Sequence, residues 1–239
     1  MKNLIGSLAI AAIMFASPAK ATLATNGDFQ TGDFTGWTLF TNPDGLIGSD
    51  AYAGDLGNRT FPRPPKPATP SVTSFNVTGS GASLAATFDA GKDTSSGTSL
   101  GGGGIFQSIN TAAGTLDVSL DIAVWVPLFS NGDGGTFRVL VDGNELDSHA
   151  FGSIDTGFPD SISGAIVRSS LNGSIALAAG NHELRVSIER PYGNSIDSPL
   201  QYLDNITANL TPAPVPVPGA AWLMGSALIP LVATRRRTA

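Results

Sequence analysis

The chain has 239 residues, no cysteine and a formal net charge of −6. With 29 glycines, 16 prolines and 13% charged residues, the composition suits many short strands joined by turns, and it excludes a disulfide framework and thiolate chemistry. Of the 13 basic residues five (Lys2, Lys20, Arg235, Arg236 and Arg237) lie in the two end segments, so the body sets eight against 19 acidic residues and repels nucleic acid and anionic lipid.

Residues 1–21 start with Lys2, continue through LIGSLAIAAIMFA and close on Ala19-Lys20-Ala21. A positive start, a short apolar centre and an A-x-A site predict a secretory signal peptide cut after Ala21, leaving a mature chain from Thr22. NGDFQTGDFTGW (26–37) follows and ends in Trp37, which reads as a core residue. NRTFPRPPKPATP (58–70) carries five prolines, which cannot sit in a central strand, so it reads as a stiff surface loop or insertion. GTSLGGGG (97–104) reads as a flexible loop. Its Gly97–Gly101 portion matches G-x-S-x-G around Ser99, but a nucleophile elbow needs a strand before it and a helix after it, and here glycines follow.

Alternation becomes clear in TLDVSLDIAVWV (115–126). Leu116, Val118, Leu120, Ile122, Val124 and Val126 share one face, and Asp117, Ser119, Asp121, Ala123 and Trp125 share the other, which predicts a half-buried strand. Trp125 thus lies on the outer face near Asp121, with two readings: an aromatic platform for a sugar ring with Asp121 accepting hydroxyl protons, or a minor core covered by a loop such as 58–70. NGDGG (131–135) reads as a glycine turn. TFRVLVDG (136–143) predicts a strand entering an Asp142-Gly143 hairpin turn, and HELRVSIER (182–190) a strand after the turn AAGN (178–181). In QYLDNITANL (201–210), period two puts Asp204 on one face with Tyr202, Ile206, Ala208 and Leu210. An inward carboxylate must be hydrogen-bonded or metal-bound, because an unpaired buried charge is costly.

No 3.6-residue periodicity is sustained outside the two ends, so the expected fold class is all-β, a two-sheet antiparallel β-sandwich over 22–210. Catalysis has little to work with: His149 and His182 sit beside turns, and carboxylates such as Asp117 and Asp121 are explained by solvation of a sheet surface.

The chain ends in PVPVPGAAWLMGSALIPLVATRRRTA. Residues 211–218 form a proline-spaced stalk, and 219–239 hold an apolar run of about 15 residues, below the usual spanning length of about 17–25, followed by three arginines. Val215, Pro216, Val217, Pro218, Trp222, Arg235, Arg236 and Arg237 resemble, in order, the PEP-CTERM sorting signal of Gram-negative bacteria, with Val217 where that signal's Glu stands. The resemblance implies processing by an exosortase, a short C-terminal apolar helix, transient inner-membrane attachment through that segment alone, and display at the cell surface or outside the cell. NGDFQTGDFTGW and QYLDNITANL resemble the first and last strands of carbohydrate-binding-module-like jelly rolls, also called galactose-binding-like domains, and AGTLDVSLDIAV and AAGNHELRVSI resemble middle strands. That resemblance implies a jelly-roll fold and a structural calcium shared by Asp204, Asp28 and the carbonyl of Gln30, the last replacing the family's usual Glu. Two functions follow as expectations: a non-enzymatic surface or matrix protein associated with exopolysaccharide, or a carbohydrate-binding module with an aromatic platform.

Overall fold

The computed structural model describes residues 22–48, 69–92, 100–126, 132–154, 165–192 and 198–214. The signal peptide, most of the proline-rich stretch, Ser99 and the sorting segment from Val215 onward lie outside the described residues. Twelve strands follow in order among the described residues: β1 (Thr38–Thr41), β2 (Gly45–Leu46), β3 (Ser71–Phe75), β4 (Ser83–Phe88), β5 (Gly91–Lys92) and β6 (Gly101–Thr111), then β7 (Gly114–Val126), β8 (Thr136–Val141), β9 (Asn144–Ala150), β10 (Ala165–Leu177), β11 (Gly180–Arg190) and β12 (Leu200–Pro212). One sheet runs β1-β6-β11-β8-β9, the other β10-β7-β12-β4-β3, and β2 pairs with β5 in a small ribbon. All pairings are antiparallel, and the main core lies between the two large sheets. The expected two-sheet sandwich is the observed architecture.

The alternation in β7 sets the core directly: Leu116, Val118, Leu120, Ile122, Val124 and Val126 are all buried, facing Phe137, Val139, Val141, Leu184, Val186 and Ile188 of β8 and β11. Asp142 and Gly143, with φ of 50° and 77°, make the tight β8–β9 turn, the left-handed pair such a hairpin requires. Trp37 is buried in the main core and donates from Nε1 to the Asn26 carbonyl at 3.1 Å.

Four expectations are corrected. Gly101–Gly104 are strand, not loop: they open β6, which is squeezed between β1 and β11. A Cβ at Gly103 would stand 2.0 Å from the Phe40 carbonyl oxygen and one at Gly104 2.0 Å from that of Val186, so the run is a demand for close backbone approach. Residues 26–37 are a succession of turns, not a first strand; β1 starts at Thr38. Strand β12 runs two residues past the expected boundary at 210, with Thr211 opposite Thr115 and Pro212 opposite Gly114.

The fourth concerns the face of Asp204. A bulge interrupts the β12–β7 register between Asp204 and Thr207, with Asn205 at φ 53°. One extra residue flips the side-chain parity. Ile206 and Ala208 therefore point into the main core while Leu200, Tyr202 and Asp204 lie on the outer face with Trp125. A strict period of two carried across the bulge had joined the two sets.

The two ends of the sandwich differ. Two-residue links (112–113, 142–143 and 178–179) close one end, whereas β4, β7, β9 and β11 all finish at the other. There Ala90 is clamped between the sheets: its N–H donates to Gln201 Oε1 at 2.9 Å and its carbonyl accepts from Arg190 Nη1 at 3.0 Å. Arg190 is 1% exposed, and burial holds its guanidinium below the usual range, with Asp89 and Asp133 opposing that shift. Nothing in the sequence pattern signals this clamp, because a cation ending an amphipathic strand is usually solvated.

Candidate binding face on the outer sheet

The antiparallel register of β10, β7 and β12 turns alternate residues into rows across one outer face. From the end where β7 finishes the rows read Ile166–Trp125–Leu200, Arg168–Ala123–Tyr202, Ser170–Asp121–Asp204, Asn172–Ser119–Thr207 and Ser174–Asp117–Asn209. The face therefore grades from apolar to polar along the strands. Sequence reasoning placed Trp125 and Asp121 on it correctly; the bulge adds Asp204 and Tyr202.

At the apolar end Trp125 is covered, with 6% exposure. It belongs to a second cluster with Phe75, Val77, Ala85, Ala123, Leu200 and Tyr202. Tyr202 is fully buried, its ring nearly parallel to Phe75 at 5° with centroids 3.6 Å apart, and its hydroxyl has no hydrogen-bond partner among the described residues. Burial pushes the phenol well above its usual pKa. Of the two readings for Trp125, the geometry is that of a minor core.

In the middle, Asp204 is buried and both its oxygens accept hydrogen bonds: Oδ2 from Ser83 Oγ at 2.5 Å and Oδ1 from the Asn205 N–H at 2.8 Å. Its pKa is raised, mainly by burial, with the charges of Asp121 and Asp28 adding to the rise and the two hydrogen bonds opposing it. Asn205 Nδ2 donates to Asp121 Oδ2 at 2.9 Å, so the left-handed bulge residue separates two carboxylates that face each other across the register. The turn carrying Asp28 is brought alongside: the Ile206 N–H donates to the Gly27 carbonyl at 2.8 Å.

Calcium takes six to eight oxygens. Here Asp204 commits both oxygens to protein donors, Asp28 Oδ1 accepts from the Gln30 N–H at 3.3 Å, and the Gln30 side-chain amide donates to the Asp28 carbonyl at 2.9 Å. No three acidic or imidazole groups converge as a metal cluster among the described residues. Among the described residues the donor set is that of a hydrogen-bonded carboxylate.

The polar end is open. Asp117, Ser119, Asn172, Ser174, Thr207 and Asn209, floored by Val118 and Gly173, line a groove of about 330 Å³. Ser119 Oγ and Thr207 Oγ1 share a hydrogen bond of 2.8 Å, fixing their orientation in the fourth row. Asp117 and Ser119 were legible as outward-facing, but the groove needs Asn172 and Ser174 of β10, a strand whose SSLNGS core carries too little apolar alternation to announce itself.

The histidines lie apart from this face. His182 Nδ1 is 2.6 Å from Asp142 Oδ2 and Nε2 is 3.1 Å from the Ala178 carbonyl, joining two tight turns. His149 packs edge-on against Phe151 at 4.6 Å. Neither adjoins a hydroxyl nucleophile in the hydrogen bonds observed among the described residues.

No protein-family model matches the chain, and no curated protein sequence matches it. Solved structures do. TmCBM61, a carbohydrate-binding module in complex with β-1,4-galactotriose, is 15% identical, with a TM-score of 0.44 over 80% of this chain and 99% of that one. The xylan-binding domain CBM22-1 from Paenibacillus barcinonensis is 14% identical, with a TM-score of 0.40 over 83% and 100%. A cyclase from Fischerella sp. TAU is 10% identical, with a TM-score of 0.38 over 82% and 100%.

Proposed function

We propose that the sandwich is a non-catalytic glycan-binding module, and that the chain's two ends carry it out of the cell. One observation supports the binding reading above the others: the groove on the β10–β7–β12 face. Its six polar side chains are amide, hydroxyl and carboxylate groups, which together donate and accept hydrogen bonds as a polyhydroxylated chain requires. They stand on three long paired strands, so the array is pre-organised and pays little ordering entropy on binding. Asp117 in the groove, Asp121 beside it and the acidic body disfavour uronates and sulfated sugars, so the ligand is a neutral polysaccharide.

The test is affinity electrophoresis of the full chain through gels containing neutral polysaccharides. β-1,4-Galactan and xylan head the probe set. Retardation by at least one gel, and its loss on joint Asn172→Ala and Asn209→Ala substitution at unchanged melting temperature, is the expected result. Migration indifferent to every polysaccharide would remove the binding reading.

The export and sorting reading supports a setting in which such a module acts: an exopolysaccharide-rich surface reached through a signal peptide and a PEP-CTERM-like tail cut by an exosortase. Intact-mass measurement on protein recovered outside the cell checks it. The mature species should start near Thr22 and lack Trp222 through Ala239; a full tail on released protein would refute the processing.

A further inference from the structure

The β3–β4 connection, residues 76–82, does not stay at its own sheet edge. β3 is the outermost strand on one side and β10 the outermost on the other, with β4, β12 and β7 between them. At about 4.8 Å per strand these edges are about 19 Å apart in a flat sheet. Yet Arg168 Nε on β10 donates to the Asn76 carbonyl at 3.0 Å, and a Cβ on Gly79 would touch the Arg168 Cδ at 3.7 Å. The connection therefore curls back over the outer face, and it brings Phe75 onto Tyr202 and Val77 into the aromatic cluster.

The connection has the build of a detachable tip. Thr78 through Ala82 are exposed. Internally it is held by Asn76 Oδ1, which accepts from the Gly79 and Gly81 N–H groups at 2.7 and 3.2 Å, and by the Thr78–Ser80 hydroxyl pair at 2.6 Å. Gly79 and Gly81 take φ values of 89° and 155°. Among the described residues, its one hydrogen bond to the far side of the face is the Arg168 contact at a single carbonyl. Beneath it lies a phenol hydroxyl that is fully buried and has no hydrogen-bond partner among the described residues, an arrangement that costs free energy unless something else supplies an acceptor or donor. The covered row Arg168–Ala123–Tyr202 is two rows, about 14 Å, from the first row of the open groove and on the same strands.

We propose that residues 76–82 are a latch over a second, aromatic subsite that continues the polar groove, and that a pyranose ring entering there displaces Val77 and the stacked Phe75 ring, lies on Tyr202 and pairs a sugar hydroxyl with Tyr202 Oη. This rests on the glycan-binding reading and adds to it a regulation: the closed latch restricts binding to the polar rows, and a longer chain draws on the aromatic rows by opening it. Apparent affinity for such a chain is the intrinsic affinity scaled by the fraction of open latch.

The decisive variant is Arg168→Ala, with Arg168→Lys as the conservative partner that keeps one donor. Latch opening is read without any ligand by tetranitromethane nitration mapped by mass spectrometry, with Tyr192, 45% exposed, as the internal positive control. Tyr202 should be protected in the wild type and in Arg168→Lys, and nitrated in Arg168→Ala at a melting temperature within about 3 °C of wild type. Binding is then read with long-chain β-1,4-galactan and xylan: Arg168→Ala should tighten retention by about fivefold, and adding Tyr202→Phe to it should remove that gain. Protection of Tyr202 in Arg168→Ala overturns the latch. Nitration of Tyr202 with unchanged or weaker retention overturns the subsite while leaving groove binding intact. No retention by any variant overturns the glycan-binding reading and the subsite with it.

Discussion

Replacing Trp125 with Ala separates a packed side chain from a sugar platform. Trp125 is 6% exposed and packs in a cluster of seven residues on the outer face of the β10–β7–β12–β4–β3 sheet. Deleting a buried aromatic removes its transfer free energy and leaves a cavity, at about 3–5 kcal/mol for Trp or Phe to Ala. This cluster lies under a curled connection rather than between two sheets, so it can partly collapse, and the lower end, about 3 kcal/mol, is the fitting value. For a domain of this size each kcal/mol shifts the melting temperature by about 2–4 °C, so Trp125→Ala should melt about 6–12 °C below wild type. Circular dichroism melts of the full chain measure this, with Leu39→Ala as the control, since Leu39 is 39% exposed and its loss should stay within about 0.5 kcal/mol. A Trp125→Ala variant that melts within about 2 °C of wild type, the shift that less than about 1 kcal/mol produces, would show that the indole is not packed, and the minor-core argument would fail.

Further outcomes follow from the same structure. Burial raises the Asp204 pKa above its ordinary 3.8, so the folded state holds the proton more tightly than the unfolded chain and stability declines as pH rises from about 4 through the folded value. Asp204→Asn keeps an acceptor for the Asn205 N–H and a group for Ser83, so in chelator it should melt no lower than wild type at pH 7 and lose that pH dependence. Millimolar calcium should leave the wild-type melt unmoved; a calcium-dependent rise abolished by Asp204→Asn would instead establish the ion. His182 has its pKa raised above 6.5, first by the Asp142 hydrogen bond and then by the Ala178 carbonyl, so its contribution is complete below pH 6.5 and is lost as pH rises through the folded value; His182→Gln should flatten the melting profile across that window. Gly103→Ala, whose Cβ would meet the Phe40 carbonyl oxygen at 2.0 Å and Thr41 Cα at 2.8 Å, should cost about 1–3 kcal/mol or more through separation of β1 from β6, seen as a lower melting temperature.

The sequence by itself determined what depends on local alternation and turn chemistry. The inward set of β7 from Leu116 to Val126, the β8 and β11 cores, and the Asp142-Gly143 turn were legible because side chains alternate with period two and only certain residues accept φ above zero. From these the all-β sandwich followed, as did the outward placement of Trp125 and Asp121. The tertiary structure decided everything that turns on register and close approach. Four consecutive glycines carry no side-chain pattern, so Gly101–Gly104 read as a loop until β1 and β11 were seen pressed against their backbone. The face of Asp204 depended on the bulge at Asn205, where one residue with positive φ reverses parity, and an Asn, which tolerates that conformation, does not by itself mark the position as a bulge. Asn172 and Ser174 joined Asp117 and Ser119 only through the pairing of β10 with β7, residues more than 50 positions apart in the chain. The cover over Tyr202 needed the 76–82 connection to reach across three strands to Arg168 on the fourth, a contact between residues 92 positions apart. Periodicity is written residue by residue along the chain, whereas a groove and its cover are properties of which strands come to lie side by side.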